Sequence, residues 1–154
     1  MEKLALLRKL ASVVLLLCFV LPLSQCTTTS YKDGKPVTST STLYPSDLVR
    51  QGMNSLSPPH FDGAWMLFGV FSIFAAPVAC WSMRRGRQAA VLLATSIVAG
   101  YFLVSWVFVF STVAKVGGLL ASACWIVLFA TSGVVLWGRL RAWRQRRRAM
   151  LYEI

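Results

Sequence analysis

The chain has 154 residues and a formal net charge of +11; 56% of the residues are hydrophobic and only 14% are charged. Its mean hydropathy is +0.63, and typical soluble proteins carry about 25% charged residues, so the composition excludes an ordinary water-soluble domain. No polar stretch of the sequence is long enough for a second folded domain, which needs roughly 50 residues.

The first predicted element, residues 1–26, has the pattern of a bacterial secretory signal. Met1 to Lys9 is basic, Leu10 to Leu21 is apolar, and Pro22 ends the predicted helix. The sequence Leu23-Ser24-Gln25-Cys26 that follows resembles the lipobox of bacterial lipoproteins. In that family the cysteine is lipidated and becomes the new N-terminus, so the resemblance implies lipidation of Cys26.

Three outcomes stay open for this N-terminal segment. Lipoprotein-type processing would leave a chain that begins at Cys26, and ordinary signal cleavage would remove the residues through Cys26. In the third outcome the segment remains as an uncleaved helix from about Leu4 to Leu23, with Arg8 and Lys9 snorkelling to the interface. All three place residue 27 on the far side of the membrane.

The next predicted region, residues 27–62, is rich in Ser, Thr and Pro and is predicted to be periplasmic. The turn-forming pair Asp33 and Gly34 favours a weak hairpin between Thr28–Tyr31 and Pro36–Thr40. Ser46 to Met53 has the pattern of a short helix with Ser46 as its N-cap. We expect a flexible or surface-lying linker overall, and a partner-docking loop is the alternative.

Three uncharged stretches come next, each long enough to cross a hydrocarbon core of roughly 30 Å as a helix. They are Ala64–Met83, Gln88–Ala114 and Val116–Gly138. We predict spans over about 64–83, 88–112 and 118–138 in a bundle of residues 63–138. The predicted fold is therefore an all-α membrane protein with three transmembrane helices, or four if the N-terminal segment is uncleaved.

The basic residues are distributed unequally between the two predicted sides. Twelve of the 16 lie in the two chain ends and in the short Arg84-Arg85-Gly86-Arg87 connection. The positive-inside rule assigns such a side to the cytoplasm. The pattern predicts a multi-pass protein of the bacterial inner membrane with a cytoplasmic C-terminus.

The last predicted element is a basic cytoplasmic tail, residues 139–154, which continues the third helix. Near a membrane surface each basic residue gains roughly 1 kcal/mol from anionic headgroups, so the bilayer is the predicted partner. We predict no nucleic-acid binding, because no aromatic stacking module or recognition motif accompanies the charge. The predicted lipid contacts are Arg139, Arg141, Arg144, Arg146, Arg147 and Arg148.

The predicted spans contain no ionisable residue, which disfavours proton relays and ion pathways. The sequence has no clear Ser/His/Asp or Cys/His set, and the lone His60 has no cysteine nearby, so we predict no enzyme, metal site or cofactor. We expect a non-enzymatic accessory or assembly-associated protein, working with a membrane-protein partner or as a homo-oligomer. The alternatives are a subunit of an oligomeric pore or transporter, and an envelope lipoprotein anchored through Cys26.

Overall fold

The N-terminal segment is a helix that packs into the body of the protein. The computed structural model describes residues 2–32, 35–56 and 61–152. Helix α1 covers Glu2–Cys18, and hydrogen bonds of the i→i+3 type continue the helical winding to the N–H of Leu21. Pro22 follows, as the sequence predicts.

A hairpin comes next, formed by β1 (Ser24–Lys32) and β2 (Lys35–Leu43), which pair antiparallel with Ser24 opposite Leu43 and Lys32 opposite Lys35. The predicted hairpin is thus confirmed and is longer than expected, although the predicted turn residues Asp33 and Gly34 lie outside the described residues. The expectation of a flexible linker is wrong for the two strands. Their many Thr residues favour extended backbone.

A third strand corrects the all-α prediction. Residues Val113–Ala114 form β3, which pairs antiparallel with the start of β1 and gives a sheet of order β2-β1-β3. Two further backbone hydrogen bonds join the residues on either side of β3 to the start of β1. The Thr112 N–H donates to the Gln25 carbonyl at 2.9 Å, and the Lys115 N–H donates to the Leu23 carbonyl at 3.0 Å. The fold is therefore mostly helical with a small sheet.

Helix α2, Pro45–Asn54, confirms the predicted short helix to within about one residue at each end. The predicted N-cap is wrong, because Tyr44 occupies that position and makes no side-chain cap bond, while Pro45 begins the helix. Helix α2 packs closely against the next helix, and one glycine from each helix, Gly52 and Gly63, lies at the contact. A Cβ atom on Gly63 would stand 2.5 Å from the Gly52 carbonyl oxygen.

Three longer helices complete the chain. Helix α3, residues 61–82, changes its winding along its length, and helix α4 ends in a π-helical segment. Helix α5 runs without a break over Val116–Tyr152, so the tail continues the third predicted span as expected. The parts of α3 are Phe61–Val70, π-helical Phe71–Ala75, Ala76–Ala79 and 3₁₀-helical Cys80–Ser82, and those of α4 are Arg85–Leu103 and π-helical Val104–Val109.

Within the described part of the chain, three helices are long and apolar enough to cross a membrane, at Asp62–Ser82, Gly86–Val109 and Val116–Gln145. This confirms the number of predicted spans and shifts their bounds. The predicted boundary between bundle and tail at residue 138 is not a structural break, because charged residues continue the helix that the apolar ones begin.

Helix α1 belongs to the same hydrophobic core as the three longer helices. Its Leu15 and Cys18, and Leu23 just beyond it, are fully buried, as are Ile73 and Leu128. Helix α1 runs antiparallel to α5, with the start of α1 beside the end of α5. The core is therefore that of a four-helix arrangement.

Two glycines at the start of α5 allow this close packing. The Gly117 N–H donates to the Pro22 carbonyl at 3.1 Å, and a Cβ on Gly117 would lie 2.6 Å from that oxygen. A Cβ on Gly118 would overlap the Leu23 carbonyl oxygen. Both glycines thus serve close helix packing inside one chain.

Candidate lipid-binding site at the basic end

The fold gathers arginines at one end of the helix bundle, which we call the basic end and define by Arg8 of α1, the 84–87 connection and Arg139 to Arg148 of α5. The strands and α2 lie at the opposite end, called the hairpin end. The separation of charge predicted from the sequence is thus present in the arrangement of the helices. The orientation of these two ends across a bilayer stays a prediction.

Arg139 occupies the centre of the basic end. Its guanidinium group packs against the backbone of Gly86 in the first turn of α4, where a Cβ atom would collide with it. Because Gly86 has no side chain, the Arg139 side chain fits between α4 and α5. This group also borders two cavities, one on each side of α5.

The first cavity lies between α1 and α5 and has a volume of about 550 Å³. Arg8 and Arg139 both line it, and Leu4, Val134 and Val135 contribute apolar walls. Arg8 is 4% exposed, which is unusual for arginine. Two arginines line this cavity, and arginine is the side chain whose paired N–H donors match phosphate oxygens, so the cavity is a candidate site for an anion such as phosphate.

The second cavity, of about 470 Å³, is mainly apolar and lies between α4 and α5. Trp137, Leu140 and Trp143 line it together with Arg139. An aliphatic chain fits such walls, and the adjacent guanidinium fits a charged head. The two cavities together therefore have the polarity of an anionic lipid.

The other predicted tail contacts are more exposed. The Arg141 guanidinium stands 5.1 Å from the ring centroid of Trp137, a cation–π contact, and Arg144 is exposed. The side chains of Arg146, Arg147 and Arg148 lie outside the described residues. Arg139 therefore contacts Gly86 and Arg141 contacts Trp137, whereas Arg144 faces outward.

Sequence reasoning missed Arg8 as a member of this site and treated it only as a snorkelling residue of an uncleaved helix. The signal that places it there is tertiary, since it depends on α1 packing against the end of α5. Ser12, one turn along, donates to the Arg8 carbonyl at 2.8 Å and keeps that turn regular.

Cys26, the predicted lipidation site, is not at a free end of the folded chain. It lies within β1, opposite Ser41, and its Sγ donates to the Phe110 carbonyl at 2.8 Å. Its thiol is free. His60 lies outside the described residues, and within the described part of the chain no three His, Cys, Asp or Glu side chains come together as a metal site.

Comparisons of the chain with protein-family models, with curated proteins and with solved structures found no match. The fold itself defines the class as a small helical protein with three helices long and apolar enough to span a membrane, completed by a three-stranded sheet.

Proposed function

We propose that this chain is a small, non-enzymatic integral protein of the bacterial inner membrane and an accessory component of a larger membrane assembly. Its C-terminus is cytoplasmic and residues 27–62 are periplasmic. One observation carries the proposal: a mainly apolar core runs through the helices, and the charged residues are concentrated at the basic end and the hairpin end. Charged ends on an apolar body suit a protein that is held in a membrane and contacts lipids and partner proteins at its two ends.

Helix α1 stays in the mature protein in this proposal and crosses the membrane as a fourth helix. Burial of Leu15, Cys18 and Leu23 supports this, because removal of residues 1–25 would expose the core face of α5. The bond before Cys26 lies in a strand that is paired on both sides at Gln25. A chain without residues 1–25 would lose the part of β1 that pairs with β3.

The hairpin end supplies the surface for a partner. Residues 35–42 of β2 are exposed, and β2 is an edge strand of the sheet, with β1 on its other side. An edge strand presents backbone N–H and C=O groups that a strand of another protein pairs with. The many small hydroxyl side chains leave that edge accessible.

The basic end anchors the opposite side. In this proposal Arg8 and Arg139 hold the phosphate of an anionic lipid and the exposed tail arginines contact further headgroups. The expected gain is roughly 1 kcal/mol for each arginine at the headgroup layer. These contacts fix how deeply α5 is inserted in the bilayer and thereby the distance of the hairpin from the opposite membrane surface.

Site-specific photocrosslinking tests the partner role. A photoreactive residue at Thr40, on the exposed β2 edge, is expected to crosslink to a defined protein that also co-purifies in mild detergent. The matched control is the same residue at Gln145, at the far end of the bundle. Crosslinks of equal yield from both positions, or none from Thr40, would contradict the proposal, and ion conductance in reconstituted liposomes would favour the pore alternative.

A further inference from the structure

A cavity of about 330 Å³ opens at the hairpin end, between the first turns of α3 and the last turns of α4. Its walls are mostly aromatic, and they include one carboxylate, one serine hydroxyl and one tyrosine hydroxyl. We call it the aromatic cavity. The side chains that define it here are Asp62, Trp65, Tyr101, Phe102, Ser105 and Trp106.

The rings are arranged around Phe102, which is 2% exposed and forms the floor. Its ring centroid lies 5.2 Å from that of Trp65, 5.5 Å from that of Tyr101 and 5.0 Å from that of Trp106. The interplanar angles are 51°, 77° and 45°, so these rings are tilted or edge-to-face and do not stack over one another. Trp65 also stacks on Phe68, with ring centroids 5.8 Å apart and an interplanar angle of 27°. Trp65, Tyr101 and Trp106 all line the cavity.

The backbone holds the floor in place. Gly69 of α3 lies under the Phe102 ring, where a Cβ would stand 2.7 Å from Cδ1. The π-helical segment of α4 widens the turn that carries Ser105, whose carbonyl accepts from the Phe110 N–H at 2.8 Å. Such π-helical turns occur frequently at functional sites.

The start of β1 supports the wall of the cavity. The Ser24 hydroxyl, which is fully buried, donates to the Trp106 carbonyl at 2.9 Å. This bond links the N-terminal part of the chain to the residue that forms one side of the aromatic cavity. The Trp106 side of the cavity is thus tied to the start of β1.

We propose that the aromatic cavity binds the primary ammonium group of a phosphatidylethanolamine headgroup. The face of an aromatic ring carries negative electrostatic potential and attracts a cation, most strongly for Trp. The Asp62 carboxylate adds a full negative charge, and the Ser105 hydroxyl adds a second acceptor. A primary ammonium has three N–H donors to satisfy them, whereas a trimethylated ammonium has none.

The position of the cavity at the end of a membrane span favours a lipid headgroup as the source of that ammonium. Asp62 is the first residue of its candidate span, and Trp65 and Tyr101 are 53% and 61% exposed. Exposed Trp and Tyr at the end of a membrane helix stand at headgroup level. This inference rests on the membrane placement proposed above.

Native mass spectrometry of the full chain in detergent tests the site, with phosphatidylethanolamine and phosphatidylglycerol of equal acyl chains added in equal amounts. Asp62→Asn and Trp65→Leu are each expected to reduce retention of phosphatidylethanolamine about fivefold. Retention of phosphatidylglycerol, which the basic end binds, stays unchanged. The matched control is Trp81→Leu at the other end of α3, where the side chain is 42% exposed, and this variant is expected to retain phosphatidylethanolamine as the wild type does.

Several results would overturn the assignment. If Asp62→Asn retains as much phosphatidylethanolamine as the wild type, the Asp62 carboxylate does not bind the ammonium group. Tighter retention of phosphatidylcholine than of phosphatidylethanolamine by the wild type removes the hydrogen-bond argument for a primary ammonium. The Asp62 side chain is exposed, so its amide variant is expected to fold. Failure of the proposed membrane placement would appear separately, as protein recovered in the soluble fraction.

Discussion

The Trp125 indole N–H donates a hydrogen bond to the Ile73 carbonyl at 3.2 Å, and both side chains are buried. Pro77 lies four residues after Ile73 and has no N–H, so it cannot supply the usual α-helical donor to that carbonyl. Helix α5 therefore satisfies a backbone group that proline leaves open in α3. This bond is thus a specific contact between two helices at the position of the proline.

Trp125→Phe is expected to destabilise the protein by about 1–2 kcal/mol, because it leaves the buried Ile73 carbonyl without this donor. The measurement is unfolding in a mixed-detergent titration. Pro77→Ala restores a backbone N–H at the critical position. The double variant should therefore lose less than the sum of the two single losses, and strictly additive losses would contradict the assigned bond.

Gly117→Ala is expected to cost about 1–3 kcal/mol, because its Cβ would press on the Pro22 carbonyl oxygen and separate α5 from the end of α1. The matched control is Gly133→Ala in the same helix, where a Cβ meets no atom within 4 Å. That variant should be neutral or more stable by up to about 1 kcal/mol. Equal losses at both positions would show that the close approach at Gly117 is unimportant.

Single cysteines at Ser41 and Gln145, in a chain whose native cysteines are replaced, test the proposed orientation. Both positions are exposed and lie at opposite ends of the bundle. An impermeant thiol reagent applied to spheroplasts should label position 41 and should reach position 145 only after lysis. Labelling of position 145 before lysis, with position 41 protected, would reverse the orientation.

Replacement of Arg144, Arg146, Arg147 and Arg148 by Lys is expected to preserve membrane insertion, because lysine keeps the charge on which headgroup attraction depends. The corresponding Gln variant should insert less efficiently. Insertion is measured as the fraction of protein in the washed membrane. If the Lys variant is as defective as the Gln variant, a bidentate dock for a specific partner replaces lipid attraction as the explanation.

The sequence predicts the parts of this fold that depend on local pattern. Uncharged length identifies the three long helices, Asp33 and Gly34 mark the centre of the hairpin, and the pattern of Ser46 to Met53 locates α2 to within about one residue, although its N-cap is Tyr44 and not Ser46. Strand β3 could not be predicted, because two residues carry no periodicity and Val113 is extended only where Gln25 offers it a partner. The neighbours of the candidate site residues could not be predicted for the same reason.

The proposed lipid sites depend on residues that are distant in the chain. Arg8 lines the same cavity as Arg139 only because α1 packs against the end of α5, and Asp62 shares a cavity with Trp106 only through the packing of α3 on α4. Spacing within one helix gives no signal for either pair. The resemblance of residues 23–26 to a lipobox is equally local and contains no information on the strand pairing of Cys26.

Intact-mass spectrometry of protein purified from bacterial membranes tests most directly whether α1 is a permanent helix of this membrane protein. The expected mass includes residues 1–25 and carries no acyl group on Cys26, because Leu15, Cys18 and Leu23 complete the core. A mature chain that begins at Cys26 with added acyl mass, or one that begins at Thr27, would contradict the retained fourth helix.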